Sequence, residues 1–157
     1  MTRETIYAAL FAKVLLLRDQ ATQPIPAGKF RTVERRLRHW NDVPAEECPY
    51  IGQVQVSEVK RQARGQPPCW SFMLNWYVYV ATQAQVTPGV IPAQLLNPLI
   101  DALEGVVAPD SKGRQDQVCT LGGLVSHCWI AGTIETSEGL LDDLEVAIIP
   151  IEILVPA

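Results

Sequence analysis

The chain has 157 residues, 48% of them hydrophobic and 19% charged, with a net charge of −4. That length suits one domain that buries roughly 68–70% of its unfolded surface around a single core. The acidic balance argues against non-specific nucleic-acid binding as the main task, because neutralising phosphates needs surplus Lys and Arg. No stretch reaches the roughly 20 apolar residues of a bilayer span.

The first predicted element is a helix over residues 3–19, where Ile6, Leu10, Val14 and Leu17 recur at helical spacing. Phe11 and Leu15 widen the stripe, and Arg18 suits the negative end of the helix dipole. Lys13 interrupts the apolar run, and no small-residue cleavage site follows, so a signal peptide is not expected. These features predict a cytosolic product with a native N-terminus. The stretch Gln23-Pro24-Ile25-Pro26-Ala27-Gly28 breaks the helix.

A short strand is predicted at Phe30 to Leu37, then a polar bend from Trp40 to Pro44. Tyr50 to Arg61 reads as a second strand, with Val54 and Val56 alternating against Gln53, Gln55 and Ser57. Trp70 to Thr82 carries the strongest strand pattern. Trp70, Phe72, Leu74, Trp76, Val78 and Val80 share one face, and Met73, Tyr77 and Tyr79 the other, which predicts a central strand covered on both sides. Arg64 to Pro68 makes the polar connection between these two strands.

Asn97-Pro98 predicts a helix start, with Asn as N-cap and Pro at the first helical position, running to about Val107. Pro92 would open a preceding half-turn. Asp110 to Gln117 is polar and expected to be a mobile loop. Two further strands are predicted, Val125 to Thr136 and Leu144 to Val155, with Pro150 marking an edge or a bulge in the last one. The order is helix, strand, irregular piece, two strands, helix, two strands. Hairpin-like connections favour a mostly antiparallel or mixed sheet with both helices packed on it: a two-layer α+β domain spanning residues 1–157.

No residue group converges on chemistry. His127 and Cys128 are adjacent on a strand and point to opposite faces, so they cannot act as a nucleophile–base pair. Cys119, His127 and Cys128 lack zinc-site spacing and a fourth ligand. Cys48, Cys69, Cys119 and Cys128 form no CxxC pair and read as small buried hydrophobes. Asp142, Asp143 and Glu145 could suggest a carboxylate metal site, but fit a solvated turn better. Leu121-Gly122-Gly123-Leu124 lacks the phosphate-loop patterns and reads as a tight turn or bulge. No enzyme, cofactor or metal is expected.

Lys29, Arg31, Arg35, Arg36 and Arg38 lie within ten residues, opposed locally by Glu34. A solvated edge strand whose charges deter unwanted pairing explains them as well as a contact surface does. As a contact surface, Arg31, Arg35, Arg36 and Arg38 with Trp40 would meet acidic protein partners or DNA passing nearby, since guanidinium forks make bidentate bonds.

Several short patterns run the length of the chain. Arg3-x-x-Ile6 with Ala9-Leu10-Phe11-Ala12 opens it, followed by Phe30-x-Thr32-x-x-Arg35-Arg36, Trp40-x-Asp42-Val43 and Cys48-Pro49. Asn97-Pro98-Leu99-x-Asp101-Ala102-Leu103, Thr120-Leu121-Gly122-Gly123-Leu124-Val125, Ile130-x-Gly132 and Ile149-Pro150-Ile151 complete them. Together they resemble small tail-assembly proteins of tailed bacteriophages, of the tail-terminator and tail-completion type. The resemblance implies a two-layer α+β fold and a homohexameric ring that caps the tail tube and stops its polymerisation. It also implies a joining surface to the head-side connector. The implied partners are further copies of the chain, the major tail tube protein and the head–tail connector protein. DNA would pass through the lumen without being gripped, and no membrane is involved. The implied place is the tail or neck of a virion assembled in the bacterial cytoplasm. Alternatives are another neck component, such as a head-closure or tail-completion adaptor, and a small enzyme of unknown type.

Overall fold

The structure, a computed structural model, describes residues 2–81, 93–110, 117–141 and 144–157, with the backbone alone of 138–141. Helix α1 (Arg3–Leu15) is capped by the Thr2 side chain, which accepts from the Thr5 N–H. Its stripe of Ile6, Tyr7, Leu10 and Val14 is buried. The helix stops short of residue 19 because the chain beyond it pairs elsewhere. Phe30 donates to Leu17 O and accepts from the Asp19 N–H, both at 2.8 Å. Lys13, not Arg18, is therefore the basic residue of the last turn.

Strand β1 (Thr32–Glu34) is shorter than the expected Phe30–Leu37 and runs parallel to β2 (Tyr50–Arg61). After Glu34 the chain bends over the sheet: the Tyr50 hydroxyl donates to Arg36 O at 3.1 Å and the Tyr79 hydroxyl to Arg38 O at 2.7 Å. Those two bonds use carbonyls that a longer strand would have needed. Two single-turn 3-10 helices, Trp40–Asp42 and Ala45–Glu47, follow.

Strand β3 (Cys69–Ala81) pairs antiparallel with β2 and with β6 (Leu144–Pro156). The expected strand over Val125–Thr136 is two strands, β4 (His127–Ile130) and β5 (Glu135–Leu141), lying one after the other along the far side of β6. The six-stranded mixed sheet has the order β1-β2-β3-β6-β4, with β5 also on β6.

Pro150 therefore sits within an interior strand, not at a sheet edge. Its carbonyl accepts from the Ala131 N–H at 2.9 Å, so its nitrogen also faces the β4/β5 side. β4 ends opposite Ile151 and β5 begins opposite Ile148, so the missing donor falls in the gap between them.

Helix α2 (Ala93–Val106) buries Leu96, Leu99, Leu103 and Val106. It begins at Ala93, so Asn97 is not its N-cap, and Pro98 lies inside it. Pro98 is the sixth helical residue, past the four N–H groups that a helix start leaves unpaired, so it costs the ladder the bond that would run to Gln94 O. Gly28, at φ +77°, crosses close by: a Cβ there would lie 3.3 Å from Pro98 O and 3.5 Å from Ala102 Cβ. The expected half-turn at Pro92 lies outside the described residues.

Both helices pack on one sheet face, as the two-layer reading requires. Trp76, Leu74, Phe72 and Val78 of β3 meet Ile149, Ile151 and Ile153 of β6 and the stripes of α1 and α2. Each such fully buried side chain contributes on the order of 1.5–3 kcal/mol. The outer face is covered at one end, where Val43 and Cys48 join Tyr50, Tyr79, Leu144 and Val146 in a second cluster. This confirms that β3 is central and covered on both sides there. β2 spans the predicted Tyr50–Arg61, but its alternation departs from expectation at two positions: Gln53 is buried, and Val56, beside the irregularity between Gln55 and Ser57, is 56% exposed. Gln53 pairs with Trp76 on the helix side. Its carbonyl accepts from the indole N–H at 3.2 Å, and its amide donates to Tyr7 O at 3.1 Å.

Candidate protein-interaction surface

The basic segment flanks β1 at one edge of the sheet. There the fold supplies acids that local spacing does not. Glu4, from the first turn of α1, accepts two hydrogen bonds from Arg35, at 2.5 and 3.2 Å. Those bonds, and the guanidinium charge behind them, hold the Glu4 carboxyl below its ordinary value. Arg38 donates to Glu47 and to Asp42 O and lies 3.5 Å from Glu34. Its side chain is only 17% exposed, so it fastens the Trp40–Glu47 segment to the outer sheet face.

Arg36 donates to Glu34 at 2.9 Å, with its own side chain 67% exposed. Burial opposes the Glu34 charge. The hydrogen bond and charge of Arg36, and then the charge of Arg38, more than offset it and keep Glu34 ionised below the usual range. Arg31 bonds the neutral Gln23 side chain at 3.1 Å. Arg35 and Arg38 are thus committed to carboxylates within the chain. Among the described residues Arg31 has no acid in that role, and Arg36 shares Glu34 with Arg38. Trp40 packs half-buried against the outer cluster, 5.2 Å from the His39 ring.

Gly52 makes this crossing of the sheet feasible. A Cβ at Gly52 would lie 2.5 Å from Arg36 O and 2.9 Å from the Tyr50 hydroxyl oxygen. A cleft of about 240 Å³ opens between Arg35, Arg36 and Gln53–Gln55.

The remaining candidates stay apart. Cys128 is fully buried in the helix-side core, while the His127 ring stacks on Trp129 at 4.6 Å. Burial, and then the neighbouring Cys119, push the Cys128 thiol up to about 12, which removes its nucleophilic form at neutral pH. His127 Nδ1 instead accepts from the Cys119 N–H at 3.2 Å. All four cysteines are free thiols. No three His, Cys, Asp or Glu residues gather as a metal site among the described residues. Asp142 and Asp143 lie outside those residues, and Glu145 is buried on the helix side opposite Val80.

Leu121–Leu124 is a turn, with Leu121, Gly122 and Gly123 all at positive φ. Asp110 braces it, accepting from the Thr120 and Gly122 N–H groups at 2.9 and 3.1 Å. Burial works against the Asp110 charge, but those bonds outweigh it and bring its carboxyl down to about 2. Asp110 is thus an anchored start to the expected loop, whose residues 111–116 lie outside the described ones.

No described helix is long and apolar enough to cross a membrane. No family model matches the sequence, and no curated protein matches it. Solved structures do share its fold. One is a chain from the virion of a native gene transfer agent particle, with 10% identity and a TM-score of 0.52, covering 97% of this chain and 95% of that one. Another, whose name states no function, has 14% identity and a TM-score of 0.54, covering 100% of this chain and 97% of that one. The whole chain therefore adopts a fold also found in a virion component.

Proposed function

We propose that this chain is a structural component of a phage-like particle and acts as its tail terminator: a homohexameric ring that caps the tail tube, ends its growth and offers a surface to the head-side connector. The observation that carries this reading is the end-to-end likeness to a gene transfer agent virion chain. The sequence patterns that resemble tail-terminator proteins point the same way. The separation of the Cys, His and carboxylate candidates supports a non-catalytic role. A sheet with two unlike edges suits head-to-tail association, the kind that closes into rings.

The test is light scattering after size exclusion, with negative-stain imaging and a tail-tube binding assay. The expected result is a ring near six times 17.4 kDa, free or on tube ends. A monomer at every concentration that never binds tail tube overturns the reading. The virion likeness is equally compatible with a neck adaptor, which would bind connector proteins and ignore tube subunits.

A further inference from the structure

We propose that copies of this chain join through opposite edges of the sheet, the basic β1/β2 edge of one copy meeting the acidic β5 edge of the next. This rests on the ring reading above and names the faces that would close it.

The first observation is charge. Eight of the thirteen Lys and Arg residues fall between Lys29 and Arg64, against five acids in the same span. From Gln115 to Ala157 there are seven acids and no Lys or Arg. Not all of these charges stand at a margin, since β6 is interior: Glu145 is buried there and Glu152 lies 3.3 Å from Arg61 of β2. At the margins stand the Lys29–Arg38 segment beside β1 on one side, and on the other β5, whose sequence holds Glu135 and Glu138 and no Lys or Arg. Arg36 is exposed at the first margin and Glu135 at the second.

The second observation is level. Register partners run straight across the sheet from Glu34 through Gly52, Tyr77 and Ile148 to Glu135. A parallel row runs from Thr32 through Tyr50, Tyr79 and Val146 to Ser137. β1 and β5 are therefore the two ends of the same rows. β1 runs with β2 and β6, whereas β5 runs against β6. Rotation about an axis along the strands brings the next copy's β1 beside β5 in antiparallel sense. Like edges meeting would set base against base or acid against acid. Unlike edges attract, and their pairing is heterologous, which a closed ring requires. β1 has only three residues, so backbone pairing alone is weak and charge selects the partner.

Sedimentation velocity on the full chain tests this with Arg36→Glu and Glu135→Lys. Each variant alone should need at least about tenfold more protein for half-assembly than the parent. An equimolar mixture should recover, because one variant presents acid at both edges and the other presents base at both. Circular dichroism checks folding, and Arg31→Glu replaces Arg36→Glu if that variant unfolds. If both variants assemble like the parent, the edges are not the contact, and the ring reading survives. If each dissociates and the mixture does not recover, the pairing is likewise overturned. If the parent never assembles, alone or on tail tube, the ring reading itself falls and takes this inference with it.

Discussion

Gly52 is a small residue with a large steric consequence. It lets the backbone at Arg36 cross the outer face of β2 and receive the Tyr50 hydroxyl. Gly52→Ala would push a methyl into a carbonyl that cannot move without breaking that bond. We expect a loss of about 1–3 kcal/mol, read as a lower urea midpoint with unchanged slope. Asp110 makes a prediction of the opposite kind, visible in pH. Its folded-state carboxyl is depressed to about 2 from an ordinary 3.8, so it stabilises the fold above pH 4. That contribution fades as pH falls from about 4 toward 2. Asp110→Asn should lower the melting temperature at neutral pH, and the gap to the parent should close near pH 2. A gap that persists there would show that the turn is held by something other than the ionised carboxylate.

At the scale of elements, the Gln53 side chain couples α1, β2 and β3. Gln53→Leu would leave the Trp76 indole N–H buried without its acceptor, at a cost of about 1–3 kcal/mol in chemical denaturation. Arg38 couples differently, through Glu47 and Asp42 O, and it acts on a segment outside the main core. Arg38→Gln should speed hydrogen exchange across residues 40–48 while β3 stays protected.

These two elements also show what could be foreseen. β3 was legible because apolar side chains on both of its faces leave no reading except a buried strand. The bounds of β2 were legible, but the burial of Gln53 was not, because a buried glutamine resembles a solvated one until Trp76 and Tyr7 are brought to it by the fold. The arginines were legible as a cluster, but their acids were not: Glu4 lies 31 residues from Arg35, and no local spacing connects them. The helix start at Asn97 failed because Pro98 sits inside the helix at the cost of a ladder bond, which burial of Leu96, Leu99 and Leu103 offsets and which the Asn-Pro pattern does not reveal.

For the whole molecule, the proposed contact between unlike sheet edges would make assembly a matter of electrostatics laid over an apolar scaffold. Raising salt from about 0.1 M to 1 M shortens the screening length from about 10 Å to 3 Å. Assembly should weaken over that range, while the melting temperature of the isolated chain changes little. Assembly that strengthens with salt would instead identify an apolar contact, for which the half-exposed outer face around Val54, Met73 and Trp129 is the available surface.

Pro150 has a consequence for how the chain finds its pairing. A thirteen-residue strand offers an incoming partner several registers two residues apart, each keeping the same side chains inward. Pro150 works as a fixed stop on that ruler. β4 must end before reaching it and β5 must start beyond it, so neither can slide along β6 without losing a bond at the proline. The two short strands are thereby assigned to separate halves of one long strand. The break between them is pinned to one place along β6 by a single absent hydrogen.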